Sequence, residues 1–116
     1  ATGSRRSDVN AAFEVLADGK LKGVFHSIVT SDDVAKPKPD PATYAQAVDG
    51  LGIPSQNCLA IDDSPNGVAS AKKAGMKVLG ITAIHDASSL READCHLSSL
   101  EALNPNDLIS MFENLN

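Results

Sequence analysis

The sequence predicts an α/β fold: a doubly wound, mostly parallel sheet with helices on both faces. Two observations predict it. Apolar runs of strand length alternate with stretches whose apolar residues recur at i, i+3, i+4 and i+7, and the loops between them are short. Such alternation favours parallel strands joined by helical crossovers. At 116 residues the chain amounts to one domain or part of one.

The elements follow in order. A first helix takes Ser4 or Ser7 as its N-cap and carries Val9, Ala12, Phe13 and Leu16 on one face, with Gly19 placed to end it. Val24–Val29 reads as a strand, and a polar, proline-rich loop spans Thr30–Pro39. The second helix uses Asp40 as cap and Pro41 in its first turn, with Tyr44, Ala47, Val48 and Leu51 as its apolar stripe and Gly52 as its stop. Strand Cys58–Ile61 leads to Asp62-Asp63-Ser64. Ser64 and Pro65 then open a third helix through Val68, Ala71 and Ala74, closed by Gly75. A strand at Lys77–Thr82, a short helix near Ala87–Glu92, a strand at Cys95–Leu97 and a last helix from about Pro105 complete the chain.

Composition excludes two function classes. The net charge is −5 with both signs interspersed, whereas a nucleic-acid binder more often presents a basic face. No apolar run approaches the ~20 residues that cross a bilayer. Cys58 and Cys95 share no ligand or redox spacing with each other or with a histidine, so they read as small buried hydrophobes of a reducing, cytoplasmic protein. His26, His85 and His96 read as structural or solvated, and Arg5 and Arg6 as a solvated helical turn.

Three segments carry possible chemistry. In Cys58–Gly67 an apolar strand delivers two adjacent carboxylates, Asp62 and Asp63, to its C-terminal tip. Open sheets bind ligands at that end of their strands. Buried carboxylates need a cation, donors or water, and hard oxygen ligands suit Mg²⁺. The plainer reading is a pair of turn and helix-capping acids. In Ala35-Lys36-Pro37-Lys38-Pro39-Asp40-Pro41 the prolines stiffen the backbone and present Lys36 at a defined place, where an ammonium can hold a phosphate oxygen. Lys38 is expected to face solvent. In Thr2-Gly3-Ser4 a hydroxyl and a glycine before a helix start suit an anion, which backbone N–H groups and the helix dipole both favour; capping alone is the alternative.

In this order, the three segments resemble the later signature motifs of the haloacid dehalogenase superfamily, in its phosphatase and β-phosphoglucomutase-like branch. Thr2 matches the Ser/Thr of the second motif, Lys36 the lysine of the third, and Asp62-Asp63-Ser64-Pro65-Asn66-Gly67 the acidic fourth. A bacterial receiver domain uses similar residues, but with its acids early and its lysine late. The resemblance implies a phosphatase acting on a small phosphorylated metabolite through an aspartyl-phosphate, with a sugar-phosphate mutase or a non-catalytic binding module as alternatives. It implies Mg²⁺ held by Asp63 directly and by Asp62 directly or through water. Thr2 and Lys36 would hold phosphoryl oxygens, with Gly3 and Ser4 beside them. Asp62 departs from the branch, where Glu is common.

The family's first motif, a DxD that supplies the nucleophile, has no match after an apolar strand here, and the helical cap is missing too. The chain starts at Ala1 without an initiator Met, so residues 1–116 are expected to be the C-terminal part of a core domain. Such a piece is expected to be inactive alone and to self-associate through exposed sheet edges.

Overall fold

The computed structural model describes residues 1–15, 23–101 and 103–115. Helices α1 (Arg6–Val15) and α2 (Ala42–Leu51) precede strand β1 (Leu59–Asp62). Helix α3 (Pro65–Lys73), strands β2 (Lys77–Ile81) and β3 (Cys95–Leu97), and helix α4 (Pro105–Asn114) follow. The three strands form one parallel sheet in the order β1-β2-β3, with Ala60 opposite Val78 and Gly80 opposite His96. The predicted α/β architecture is therefore present. Leu16 and Gly19, which the sequence places at the end of the first helix, lie outside the described residues.

Local chemistry explains the best-defined element. The Ser64 hydroxyl accepts the N–H of Gly67 at 3.0 Å and caps α3. Pro65 sits at the first position, where a missing N–H costs nothing. After α3 the chain turns through Gly75 at φ 84°. Helix α2 ends likewise on Gly52 at φ 67°, and Asp40 Oδ1 accepts the N–H of Ala42 at its start. Helix α4 is opened by a reciprocal pair: Asn104 accepts the N–H of Asp107, whose carboxylate accepts the N–H of Asn104.

Because side chains alternate across a strand, β1 has two different faces. Ala60 joins Val78, Tyr44 and Val48 of α2, Val68 and Ala71 of α3, and Leu90 in one buried cluster. Leu59 and Ile61 point the other way and share a hollow with Leu108, Ile109 and Phe112 of α4. On that side Lys77 Nζ lies 4.5 Å from the centre of the Phe112 ring. Helices thus cover both faces. Among the described residues no helix is long and apolar enough to cross a membrane.

Three expectations change. Residues 24–29 are not a sheet strand: Val29 O accepts the N–H of Thr2 at 2.9 Å, and Val24 and Phe25 remain more than half exposed. The stretch 87–92 is a series of turns rather than a helix. There the Asp86 carboxylate takes the Ser88 hydroxyl and the Ser89 N–H, and Leu90 is driven into the core. So short a segment gains too few helical hydrogen bonds to offset nucleation. Finally, α1 is capped neither by Ser4 nor by Ser7. The N–H of Arg6 donates to Asp32 Oδ2 at 2.7 Å, a carboxylate 26 residues further on.

Candidate functional site

The C-terminal ends of β1 and β2 open onto a cleft of about 670 Å³. Thr2, Gly3, Lys38, Asp62, Asp63 and Asn66 are among the residues lining it. Asp62 comes from the tip of β1, and Asp63 from the turn into α3. Lys38 comes from the proline-rich loop, two residues before Asp40; the N-cap position of α2 is Pro41 rather than the expected Asp40, whose carboxylate instead accepts the Ala42 N–H. The segment carrying Thr2 and Gly3 is held by backbone bonds from Thr2 N–H to Val29 O and from Ser31 N–H to Ser4 O, both 2.9 Å. Arg6 reinforces it by donating to Ile28 O and to the Asp33 carboxylate. Asp33 also accepts the N–H and hydroxyl of buried Thr30. Those Thr30 bonds, aided by Arg6, hold the Asp33 carboxyl below its usual range.

Asp62 is the most constrained residue of the cleft. Its Oδ1 accepts the N–H and the hydroxyl of Ser64, both at 3.0 Å. Its Oδ2 accepts the Tyr44 hydroxyl at 2.7 Å and Lys38 Nζ at 3.0 Å. A carboxylate offers about four lone-pair directions, and these donors use them all. The Asp62 side chain is only 8% exposed and that of Lys38 16%. Burial alone would raise the Asp62 pKa. The Tyr44 and Lys38 hydrogen bonds, with the Ser64 N–H, outweigh it and hold the carboxyl below its ordinary value. The same burial, together with the bond to Asp62, pushes the Tyr44 phenol up. Gly67 completes the arrangement, because a Cβ there would overlap the Asp62 carboxylate.

Asp63 behaves differently. It is exposed at the cleft and makes no hydrogen bond or ion pair among the described residues. A free carboxylate beside a saturated one means that the twin acids are not equivalent. Among the described residues no group of three or more His, Cys, Asp or Glu is arranged to hold a metal. The unengaged Asp63 carboxylate nevertheless suits Mg²⁺, which often takes only one or two carboxylates from a protein and keeps several waters.

Thr2, Gly3, Asp62 and Asp63 meet at this cleft; Ser4 and Lys36 do not line it. Ser4 borders the neighbouring hollow with Val9 and Phe13, and its N–H donates to Thr2 Oγ1 at 3.2 Å. Lys36 is exposed. The expectation for Lys38 is corrected: instead of facing solvent it pairs with Asp62 and lies over the Tyr44 ring, Nζ 4.7 Å from the centre. The doubled Lys-Pro sequence offers two registers. The second lysine, not the first, reaches the tip of β1, and Asp40 two residues on accepts the Ala42 N–H at the start of α2. Tyr44, counted in the sequence only as part of an apolar stripe, contributes a hydroxyl to the cleft. Of the histidines, His96 bonds Leu90 O at 2.8 Å, while His26 and His85 are exposed.

Comparison with known proteins gives a consistent picture. The family model for haloacid dehalogenase-like hydrolases matches residues 1–81. A validoxylamine A 7'-phosphate phosphatase from Streptomyces hygroscopicus subsp. limoneus is 40% identical over 73 residues, covering 63% of this chain and 34% of the relative. The crystal structure of CbbY from Rhodobacter sphaeroides in complex with phosphate superposes with a TM-score of 0.80 at 29% identity, covering 90% of this chain and 47% of CbbY. A β-phosphoglucomutase from Clostridium difficile shares the fold, with a TM-score of 0.67 at 22% identity over 75% of this chain and 38% of its own. The chain thus spans about a third of that curated relative and about half of the CbbY structure. With its parallel sheet, its motif-bearing cleft and a family match over residues 1–81, the chain belongs to the haloacid dehalogenase-like hydrolases.

Proposed function

We propose that this chain forms the phosphate- and metal-binding half of the active site of a Mg²⁺-dependent phosphatase acting on a small phosphorylated metabolite. The observation that carries the reading is the convergence of a hydroxyl, an ammonium and two unlike carboxylates at the strand ends. Thr2, Lys38, Asp62 and Asp63 all line one cleft. The relatedness to phosphate-ester hydrolases supports it.

The residues divide the work by their environments. The Thr2 hydroxyl and the Gly3 N–H bind phosphoryl oxygens, and Lys38 neutralises their charge as it builds up. Lys38 takes the part that the sequence assigned to Lys36. Asp63, with its oxygens unengaged, is the direct ligand for Mg²⁺. Asp62, whose lone pairs are filled, holds Lys38 and acts on the metal only at second hand. Mg²⁺ bound there supplies Lewis-acid neutralisation of the phosphoryl group. The nucleophile is an aspartate of the whole protein that forms an aspartyl-phosphate, and residues 1–116 alone have no turnover because they contain no matching DxD. The edge of β1 away from β2 has no strand partner among the described residues. We expect the isolated chain to self-associate there. Light scattering after gel filtration should return at least a dimer mass; a clean monomer at micromolar concentration refutes that point.

The test of the main reading is a panel of small phosphate esters offered to the full-length protein with and without Mg²⁺. Hydrolysis should require Mg²⁺ and fall by about a hundredfold or more in Asp63→Asn, the scale typical of losing one group that stabilises the transition state. Metal-independent hydrolysis, or full activity in Asp63→Asn, contradicts it.

A further inference from the structure

Tyr44 touches both members of the buried ion pair. Its hydroxyl donates to Asp62 Oδ2 at 2.7 Å, the oxygen that also receives Lys38 Nζ. Its ring lies under the same ammonium, 4.7 Å from centre to Nζ. The ring itself is fixed in the core, with the residue 7% exposed and packed in the cluster with Val48, Ala60 and Val68. Lysine is a flexible side chain whose four-carbon stem loses considerable rotamer freedom when held. Here a rigid aromatic residue on α2 removes that freedom from two directions, one electrostatic through the ring face and one through the shared carboxylate.

We propose that Tyr44 is a positioning residue for phosphate recognition: it fixes the Lys38 ammonium and the Asp62 carboxylate as one unit, so that the cation reaches the cleft in a single orientation. The inference rests on the phosphoryl-binding reading above. An ammonium has three donors, and Asp62 takes one, so two remain for an anion's oxygens. Their direction is set by where Asp62 and the ring hold the nitrogen. Tyr44 touches no substrate in this scheme; it acts through Lys38.

The test titrates the full-length protein with inorganic phosphate and follows the amide signals of Gly3, Asp63 and Ser64 by NMR. Four proteins are compared: the parent, Lys38→Ala, Tyr44→Phe and Val48→Ala. Val48→Ala disturbs the same helix and core without touching Lys38 or Asp62. Lys38→Ala should abolish binding. Tyr44→Phe keeps the ring and loses the hydroxyl, and should weaken binding about tenfold, equivalent to ~1.4 kcal/mol. Val48→Ala should lower the melting temperature while leaving phosphate affinity unchanged. A further measurement needs only the parent: the ε-methylene protons of Lys38 should be shifted upfield by the Tyr44 ring current. Parent affinity in Tyr44→Phe, equal weakening in Val48→Ala, or an unshifted Lys38 signal each overturns the role given to Tyr44 and leaves the phosphoryl reading standing. No phosphate binding by the parent overturns both.

Discussion

The α-carbon of Gly67 lies directly against the carboxylate of Asp62, in space that any side chain at position 67 would fill. Asp62 is held there by Ser64 on one oxygen and by Tyr44 and Lys38 on the other. It therefore has no easy way to retreat. Gly67→Ala should force the carboxylate out of its set of donors and destabilise the fold by about 1–3 kcal/mol, the usual range for overpacking. Urea unfolding measures this; an unchanged midpoint would mean that the turn relaxes freely.

Asp94 ties β2 to the turn before β3. Its Oδ2 accepts the Val78 N–H at 2.7 Å, and Lys72 Nζ lies 3.0 Å from Oδ1. Burial alone would raise its pKa, but the Val78 N–H and Lys72 outweigh that and bring it below the ordinary value. A depressed carboxyl contributes stability above its unfolded pKa, and that contribution is lost as pH falls through the folded one. Stability should therefore decline below about pH 4, near the reference aspartate value. Asp94→Asn should flatten that decline and cost about 1 kcal/mol at neutral pH, in line with loss of a partly exposed charged hydrogen bond. Denaturant melts of both proteins across pH 3–7 decide the matter, and parallel curves would exclude Asp94 as a contributor.

Asn104 accepts the N–H of Asp107 in the first turn of α4. Asn104→Ala should cost about 1 kcal/mol, as N-cap losses typically do. Amide exchange should quicken first in α4 rather than in α3, whose cap is Ser64. Uniform acceleration across both helices would show that the effect is global.

What the sequence reveals depends on how local each determinant is. Helix α3 is legible because its Ser64 cap, Pro65 and terminal Gly75 are its own residues. The twin acids are legible for the same reason, standing at the end of an apolar strand. The apolar run 24–29 announces extended chain but says nothing of its partner, which is the segment around Thr2. The cap of α1 comes from Asp32, too distant in sequence for any local pattern to show. Tyr44 is hidden because a phenol in an apolar stripe looks like core until its hydroxyl is traced. Lys36 and Lys38 carry the same charge and the same following proline, and only the tertiary contact of Lys38 with Asp62 separates them.

That separation is where the account is most exposed. Lys36→Ala and Lys38→Ala, made in the full-length protein, should be compared for Mg²⁺-dependent hydrolysis of a small phosphate ester. Lys38→Ala should lose about a hundredfold or more in kcat/KM, the scale expected when a group that stabilises developing charge is removed. Lys36→Ala should stay within about twofold of the parent, as exposed positions away from special features usually do. The reverse result, with activity lost in Lys36→Ala and kept in Lys38→Ala, would contradict the site described above.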